Sequence, residues 1–459
     1  MLTPISKIPP DILALVPDFL DTRDRDRGVI ALTHVCHAWR EVFVSQSSLW
    51  TDFNCSDREK TRVYFERSRS SPISLSLDMG FGTPPRDLSQ LIPHATGRLK
   101  SLFVRGQSEN VEAVISHLSH PAPLLEHLSI RSVPSHTSGR YPTLPSSFFS
   151  EDLSSLRTLR LEFVRAELPW RNMVNLTLFT LSHTSEGTSV GQLLDFFENA
   201  PHLKAIELCF AVSMTGAQNG RVVSLECLKS MHITNNDPPS VLLDHLLIPV
   251  GAKLEICTKL SSSLIGGHLP RSLDNLKNFS NFTAIRLQYA SMEFSGPNGQ
   301  VKITLWTDSH NPTELTLGSL AELDTSKTER LEIDDDDLPF GEPLYQALLP
   351  MKDLRTLTLS NCISPDILVR ALQPPTNSSE VMVCPKLEEV IFKPYYPPYF
   401  RGDRSGVASI VEVAAARASR GGKLKTVRIF HGRGTADLDL SELRKQVWDV
   451  EYLEYDDMD

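Results

Sequence analysis

From residue 99 onward the apolar positions follow a short rule: an apolar residue, two variable ones, a second apolar, one variable, a third apolar. It is met at Leu99/Leu102/Val104, Leu125/Leu128/Ile130, Leu156/Leu159/Leu161, Leu176/Phe179/Leu181, Leu203/Ile206/Leu208 and Leu228/Met231/Ile233. It returns at Phe282/Ile285/Leu287, Leu354/Leu357/Leu359, Leu387/Val390/Phe392 and Leu424/Val427/Ile429, with weaker copies centred on Leu254/Ile256, Leu315/Leu317 and Leu331/Ile333. The first six copies start 26, 31, 20, 27 and 25 residues apart. A short strand at that spacing cannot cover its own apolar face, so the pattern predicts strands stacked in one parallel sheet with a return segment after each. The best return helices are predicted over 111–118, 190–199, 241–247 and 406–419. Position nine of such a unit favours Asn or Cys bonded to loop backbone in the interior, and Asn236 and Cys362 fit it while Thr184 and Ala211 do not. Met292 to Trp306 breaks the rhythm with two alternating apolar runs around Ser295-Gly296-Pro297-Asn298-Gly299, which predicts an antiparallel hairpin inserted in the sheet. Val447 to Tyr455 is expected to be a last covering strand.

Ahead of the repeats the pattern is helical. Ile12, Leu13, Val16, Phe19 and Leu20 form one apolar patch, followed by a charged turn from Asp21 to Gly28. Leu32, Val35, Cys36, Trp39 and Phe43 stand at offsets 0, 3, 4, 7 and 11, which predicts one helix face. Pro17 is expected to begin a short second helical turn, since proline is accepted at the first helical position. Asp57 to Ser70 predicts an amphipathic helix, and Ile73, Leu75 and Leu77 alternate with serine as a strand does. A helical segment this small needs a partner or a neighbour to be stable.

These first residues resemble the F-box family. The matching positions are Ile8-Pro9, Asp11, Ile12-Leu13, Phe19-Leu20, Val35-Cys36, Trp39-Arg40 and Leu49-Trp50; Pro17 and the long charged turn depart from the family pattern. The downstream repeats are similar to the degenerate leucine-rich repeats that often follow an F-box. The resemblance implies an α/β chain: a helical F-box docking domain over 5–53, a linker helix and first strand over 54–78, and an irregular leucine-rich-repeat-like solenoid with a parallel sheet over 79–459. It further implies a substrate-recognition adaptor of a cullin–RING (SCF-type) ubiquitin ligase. The head would dock on the Skp-type adaptor and the repeats would bind a protein target. The docking candidates are Ile8, Pro9, Ile12, Leu13, Val16, Phe19, Leu20, Leu32, Val35, Trp39, Leu49 and Trp50, divided between core and interface. The alternatives are a repeat scaffold without a degradative role, and an enzyme with a site hidden in the sheet.

Composition narrows this picture. The 459 residues are 41% hydrophobic and 22% charged with a net charge of -10, a field that opposes phosphate contacts, so no nucleic-acid partner is expected. No secretory signal and no apolar run of membrane-spanning length is visible, which predicts an intracellular protein, in cytoplasm or nucleus, with no membrane partner. The seven cysteines show no close pairing and read as buried thiols. His34, Cys36 and His37 point apart on a helix, Asp334 to Asp337 reads as a solvated loop, and no phosphate-loop, nucleophile-elbow or metalloprotease motif occurs. No catalytic residue, metal or cofactor is therefore expected. Recognition is expected on the outward strand face, where Arg105, Arg131 and Arg160 are read as one column suited to carboxylate or phosphate groups, joined by His232 and Arg286. Lys393 to Phe400 is a proline-stiffened aromatic loop, read equally as a contact patch or a lid.

Overall fold

Alternation along each short strand sends every second side chain inward, and those inward positions are the apolar triads of the sequence. The computed structural model describes residues 8–20, 25–55, 57–80, 88–134, 141–151, 153–167, 172–183, 188–213, 220–259, 268–270, 275–277, 279, 281–306, 312–320, 323–334, 342–361, 371–372, 382–393, 404–431 and 439–454. The chain forms two compact units, Met1–Gly216 and Ala217–Asp459.

The first unit opens with α1 (Pro10–Leu13), a 3-10 turn at Val16–Phe19, α2 (Arg25–Thr33), α3 (His37–Ser45) and a second 3-10 turn at Ser47–Trp50. Then come β1 (Asp52–Asn54), α4 (Arg58–Arg67), β2 (Ile73–Asp78), α5 (Leu88–Ala95), β3 (Leu99–Gln107), α6 (Ser108–Ile115), β4 (His127–Val133), β5 (Thr158–Glu162), β6 (Leu178–Ser182), α7 (Val190–Glu198) and β7 (Ala205–Cys209). Strands β1 to β7 lie side by side in chain order, every neighbour parallel. Parallel neighbours require a crossover between strands, which is why the template recurs only after a long return. The α7 return forms because Ser189 and Gln192 make a reciprocal capping box at its start. Its Leu193, Leu194, Phe196 and Phe197 are then buried, with Phe196 against Phe179 of β6 at a centroid separation of 4.4 Å.

The second unit contains β8 (Ser230–Asn235), α8 (Ser240–Leu243), β9 (Lys253–Lys259), β10 (Ala284–Gln288), β11 (Ser291–Gly296), β12 (Gly299–Trp306), α9 (Pro312–Leu320), β13 (Arg330–Asp334), α10 (Glu342–Leu348), β14 (Thr356–Ser360), β15 (Glu389–Lys393), α11 (Arg404–Ser419), β16 (Thr426–His431), α12 (Ser441–Gln446) and β17 (Asp449–Glu454). Here the spatial order is β8-β9-β12-β11-β10-β13-β14-β15-β16-β17. The chain leaves β9, lands three places away at β10, and meanders back through β11 and β12 before resuming the ladder at β13. Only β11 runs antiparallel within this order. The predicted hairpin insertion is therefore present, with Pro297-Asn298 as its two-residue turn between the paired Gly296 and Gly299. Phe279, Phe282 and Phe294 pack as three mutually contacting rings, 4.9 to 5.5 Å apart, on its buried side.

Several expectations are corrected. The pair Leu315/Leu317 belongs to α9, not to a strand; Leu317 and Leu320, three apart, are both buried on that helix. The stripe from Leu32 to Phe43 is not one helix: α2 ends at Thr33, and Cys36, extended at φ -160° and ψ 174°, is the N-cap of α3. The helix expected over 241–247 is shorter, because Leu246-Leu247 pair instead with Val223-Ser224 as a small parallel ladder. Asn236 is exposed, and its neighbour Asn235 is the buried one. Pro17 does sit at the start of a 3-10 turn. Cys362, Asp335–Asp337, Pro394–Phe400 and Tyr455 lie outside the described residues.

Position eight of the unit, which the pattern did not single out, is a left-handed corner. Phe163, His183, Phe210, Tyr289 and Asn361 all occupy it with φ of 55°, 54°, 49°, 48° and 60°. For a bulky residue such a conformation costs about 1–3 kcal/mol. Part of that cost is offset by continuing the ladder: Phe163 N–H donates to Ser182 O (2.9 Å), His183 N–H to Cys209 O (2.6 Å) and Asn361 N–H to Lys393 O (2.7 Å). The rings of Phe163, His183 and Phe210 then stack, at 4.6 and 5.2 Å between centroids.

Candidate functional site

Two surfaces carry the candidate residues. In the helical head the twelve docking candidates separate by depth. Leu13 (3% exposed), Trp39, Leu49 and Trp50 (0%) are core residues, together with Val29 and Phe43. Trp39 meets Phe43 edge-on at 5.6 Å, Trp50 meets Tyr64 of α4 at 4.9 Å, and the Trp50 indole N–H donates to Phe43 O at 2.9 Å. The Arg67 guanidinium covers the outer face of Trp50 at 4.5 Å, a cation–π contact that closes this corner. Below it Arg98 ties the end of α4 to the start of β2, donating to Ser68 Oγ (2.8 Å), Phe65 O (3.1 Å), Ser71 O (3.4 Å) and Arg69 O.

The remaining candidates face outward. Phe19 is 88% exposed and Ile12 54%; Val35 and Pro9 are exposed, and Ile8, Val16, Leu20 and Leu32 are half-buried. Leu15 and Ile30, not singled out from the pattern, add two more exposed aliphatic side chains. All of these lie between residues 8 and 35. Gly28 of α2 packs on the Leu20 side chain, whose Cδ1 would lie 2.8 Å from an added Cβ, so α2 runs over the end of the first 3-10 turn. Arg40 Nε donates to Thr33 O (3.0 Å) and Gln46 Nε2 to Ala14 O (3.4 Å), fixing α3 against the two preceding segments.

The second surface is the outward face of the strands. Register pairs Asp78 with Arg105, Arg105 with Arg131, and Arg131 with Glu162. The predicted arginine column is thus a pair: Arg160 falls one row away, opposite Ser129 and Thr180. The physical reason is that Arg160 occupies position five of its unit and the other two occupy position seven. Both ends of the pair are neutralised, Arg105 by Asp78 at 3.7 Å and Arg131 by Glu162 at 3.1 Å.

In the second unit one outward row alternates in charge across successive strands: His232, Glu255, Lys302, Glu293, Arg286 and Glu332. His232 Nδ1 lies 3.4 Å from Glu255, and Arg286 reaches Glu332 at 3.7 Å and Asp334 at 3.3 Å. Three strands further on, Arg428 bonds both Glu451 (2.6 Å) and Glu389 (2.7 Å), which pushes its pKa up. Cross-strand pairs of this kind stabilise by about 0.2–1 kcal/mol each and leave little free charge for a ligand. Cys257, beside this row, has its thiol pushed up by burial, with hydrogen bonds to Thr304 and Thr234 acting the other way. His34, Cys36 and His37 do not share a helix: His34 follows α2, Cys36 caps α3, and His37 begins α3 and faces Glu41 at 3.6 Å. Among the described residues no helix is long and apolar enough to cross a membrane.

No protein-family model matches the chain. No curated protein matches it either. Among solved structures 17 chains match. One, from the crystal structure of a TLR13–ssRNA13 complex, is 16% identical with a TM-score of 0.33, over 77% of this chain and 48% of that one. The present chain therefore spans about half the length of that structure's chain.

Proposed function

We propose that this chain is a non-catalytic adaptor, an F-box head followed by leucine-rich-repeat-like units, that brings a protein target to a cullin–RING ubiquitin ligase through the Skp-type adaptor. Its contribution is effective concentration: a target held near the ubiquitin-charged enzyme reacts as if tethered to it. The observation that carries the reading is the exposure of Ile12, Leu15, Phe19, Ile30 and Val35 on a head whose Leu13, Val29, Trp39, Phe43, Leu49 and Trp50 are buried. Interfaces draw their affinity from a few desolvated aromatic and aliphatic anchors, and Phe19 is such an anchor. The motif at Ile8-Pro9, Phe19-Leu20 and Leu49-Trp50 supports the choice of partner. The outward strand rows, with Arg105, Arg131, Arg160, His232 and Arg286, are proposed as the target-facing surface, where charge complementarity serves specificity more than affinity.

The test is co-expression of the full chain with a Skp-type adaptor and a cullin. Wild type is expected to co-purify with both, and Phe19→Asp is expected to lose both while remaining folded. Substituting Leu13 is a poorer probe, because that side chain is buried and its loss disturbs the head itself. A Phe19→Asp variant recovered with the adaptor at wild-type yield would refute the docking assignment, and a bound target whose half-life ignores this protein would favour a scaffold without a degradative role.

A further inference from the structure

One cluster on the outward face is unlike the ion pairs around it. His232 leaves β8, and Glu255 and Cys257 leave β9 two residues apart, on the same side. The register sets His232 beside Glu255 and Thr234 beside Cys257. A ring nitrogen, a carboxylate oxygen and a sulfur from these three residues lie within 4.8 Å of one another, all half-buried. Among the described residues this is the one such group of three. Tetrahedral zinc, with bonds of about 2.0–2.3 Å, needs donors roughly 3.3–3.7 Å apart. The His232–Glu255 separation of 3.4 Å already meets this, and the Cys257 sulfur lies within 4.8 Å of both partners.

We propose that His232, Glu255 and Cys257 form a three-ligand site for a zinc-class divalent cation, with its fourth position open to water or to a ligand from a bound partner. The donor set selects the ion: a nitrogen, an oxygen and a thiolate suit zinc, whereas calcium and magnesium take oxygen alone. Charge supports it as well. Thiolate and carboxylate together balance a dication. In the alternating row Glu293 stands between Lys302 and Arg286, while Glu255 stands between Lys302 and the His232 ring. The orienting contact is present too. His232 Nε2 lies 2.8 Å from Thr234 Oγ1, and with the proton on Nε2 donated to that oxygen, the Nδ1 lone pair is left for the ion. From the pattern alone only His232 was visible; Glu255 and Cys257 were legible as the outward alternates of the weak copy around Leu254 and Ile256.

The probe is cobalt(II), added to the full-length, metal-stripped chain. One cobalt per chain is expected, with a thiolate-to-cobalt charge-transfer band in the near ultraviolet that zinc abolishes. Cys257→Ser is expected to remove the band, His232→Ala to weaken binding by about 100-fold, and Thr234→Val by about 10-fold, the usual scale for an orienting partner. Cys227→Ser is the control and should leave the spectrum unchanged. Should a ligand variant fail to fold, zinc protection of Cys257 from alkylation in the wild-type chain, read by mass spectrometry, gives the same answer. A band that survives Cys257→Ser, no stoichiometric cobalt binding, or alkylation of Cys257 that zinc does not slow would each overturn the proposal.

Discussion

The head and the strands handle the same kind of side chain in opposite ways. Along the strands the template positions are sealed: Leu128, Leu159, Phe179, Leu181, Leu254 and Leu357 are all fully buried, and the alternate positions are polar or charged and largely paired among themselves. In the head a fully buried pair, Phe43 and Trp50, belongs to the same helical region as Phe19, Ile12 and Val35, which are open to solvent. Scattered exposed aliphatic residues mean little, but five within one short helical segment exceed what its fold uses. The difference teaches where affinity and where selectivity would arise. Apolar surface left over in the head is available for a partner, whereas the strand face has spent most of its charge on itself.

The sharpest way to break this contrast is to mutate both layers of the head. Trp50→Ala is expected to cost about 3–5 kcal/mol in denaturant unfolding, as loss of a buried aromatic does, while Phe19→Asp should move stability by less than about 0.5 kcal/mol. Equal losses would mean that Phe19 belongs to the core. In the repeats Arg417 is buried and, among the described residues, makes no ion pair; it donates to Val383 O and Cys384 O at 2.8 Å each, and burial lowers its pKa. Arg417→Ala takes the donor from Val383 O, while Cys384 O keeps the Leu387 N–H at 3.0 Å, and it empties the space of a buried side chain; the expected cost is about 2–4 kcal/mol, read from the same unfolding curves.

A smaller effect probes the meander. A Cβ at Gly296 would lie 2.8 Å from both Asn281 O and Phe282 Cα, backbone atoms that cannot swing aside. Gly296→Ala should therefore destabilise by about 1–3 kcal/mol, and loss of hydrogen-exchange protection should centre on β10 to β12. The smallest expected effect is a pH dependence. His268 is buried, bonds Thr258 through Nδ1 (3.2 Å), has no partner for Nε2 among the described residues, and burial pushes its pKa below 6.5. The unfolded chain then binds more protons than the folded one, so stability is full above about 6.5 and falls as pH drops below it. Unfolding at pH 7.5 and 5.5 should show this loss, and His268→Gln should shrink the difference.

Much of this was readable from residue order, and the failures have specific causes. The strand positions were legible because a buried triad at fixed spacing is hard to produce otherwise, and the inserted hairpin because its turn residues interrupt two alternating runs. Asp57, capping α4 by accepting from Lys60 N–H at 3.0 Å, marked that helix start. Leu315/Leu317 failed because two apolar residues two apart fit a strand and a helix equally. The stripe through Trp39 failed because counting offsets cannot see that Cys36 breaks the helix. The arginine column failed by one alternation, from position seven to position five. The left-handed corners were invisible, since Phe163, Phe210 and Tyr289 are residue types that seldom adopt positive φ. In the head the motif placed the docking candidates together but could not rank their depth, which depends on how three short segments pack.

The most direct measurement is a calorimetric titration of a purified Skp-type adaptor into the full chain, comparing wild type with Phe19→Asp and Ile12→Asp at matched unfolding midpoints. Saturable binding that each substitution weakens by about 100-fold, close to 2.8 kcal/mol, is the predicted result. Identical affinities for all three, or no heat of binding with the folded wild-type chain, would contradict it.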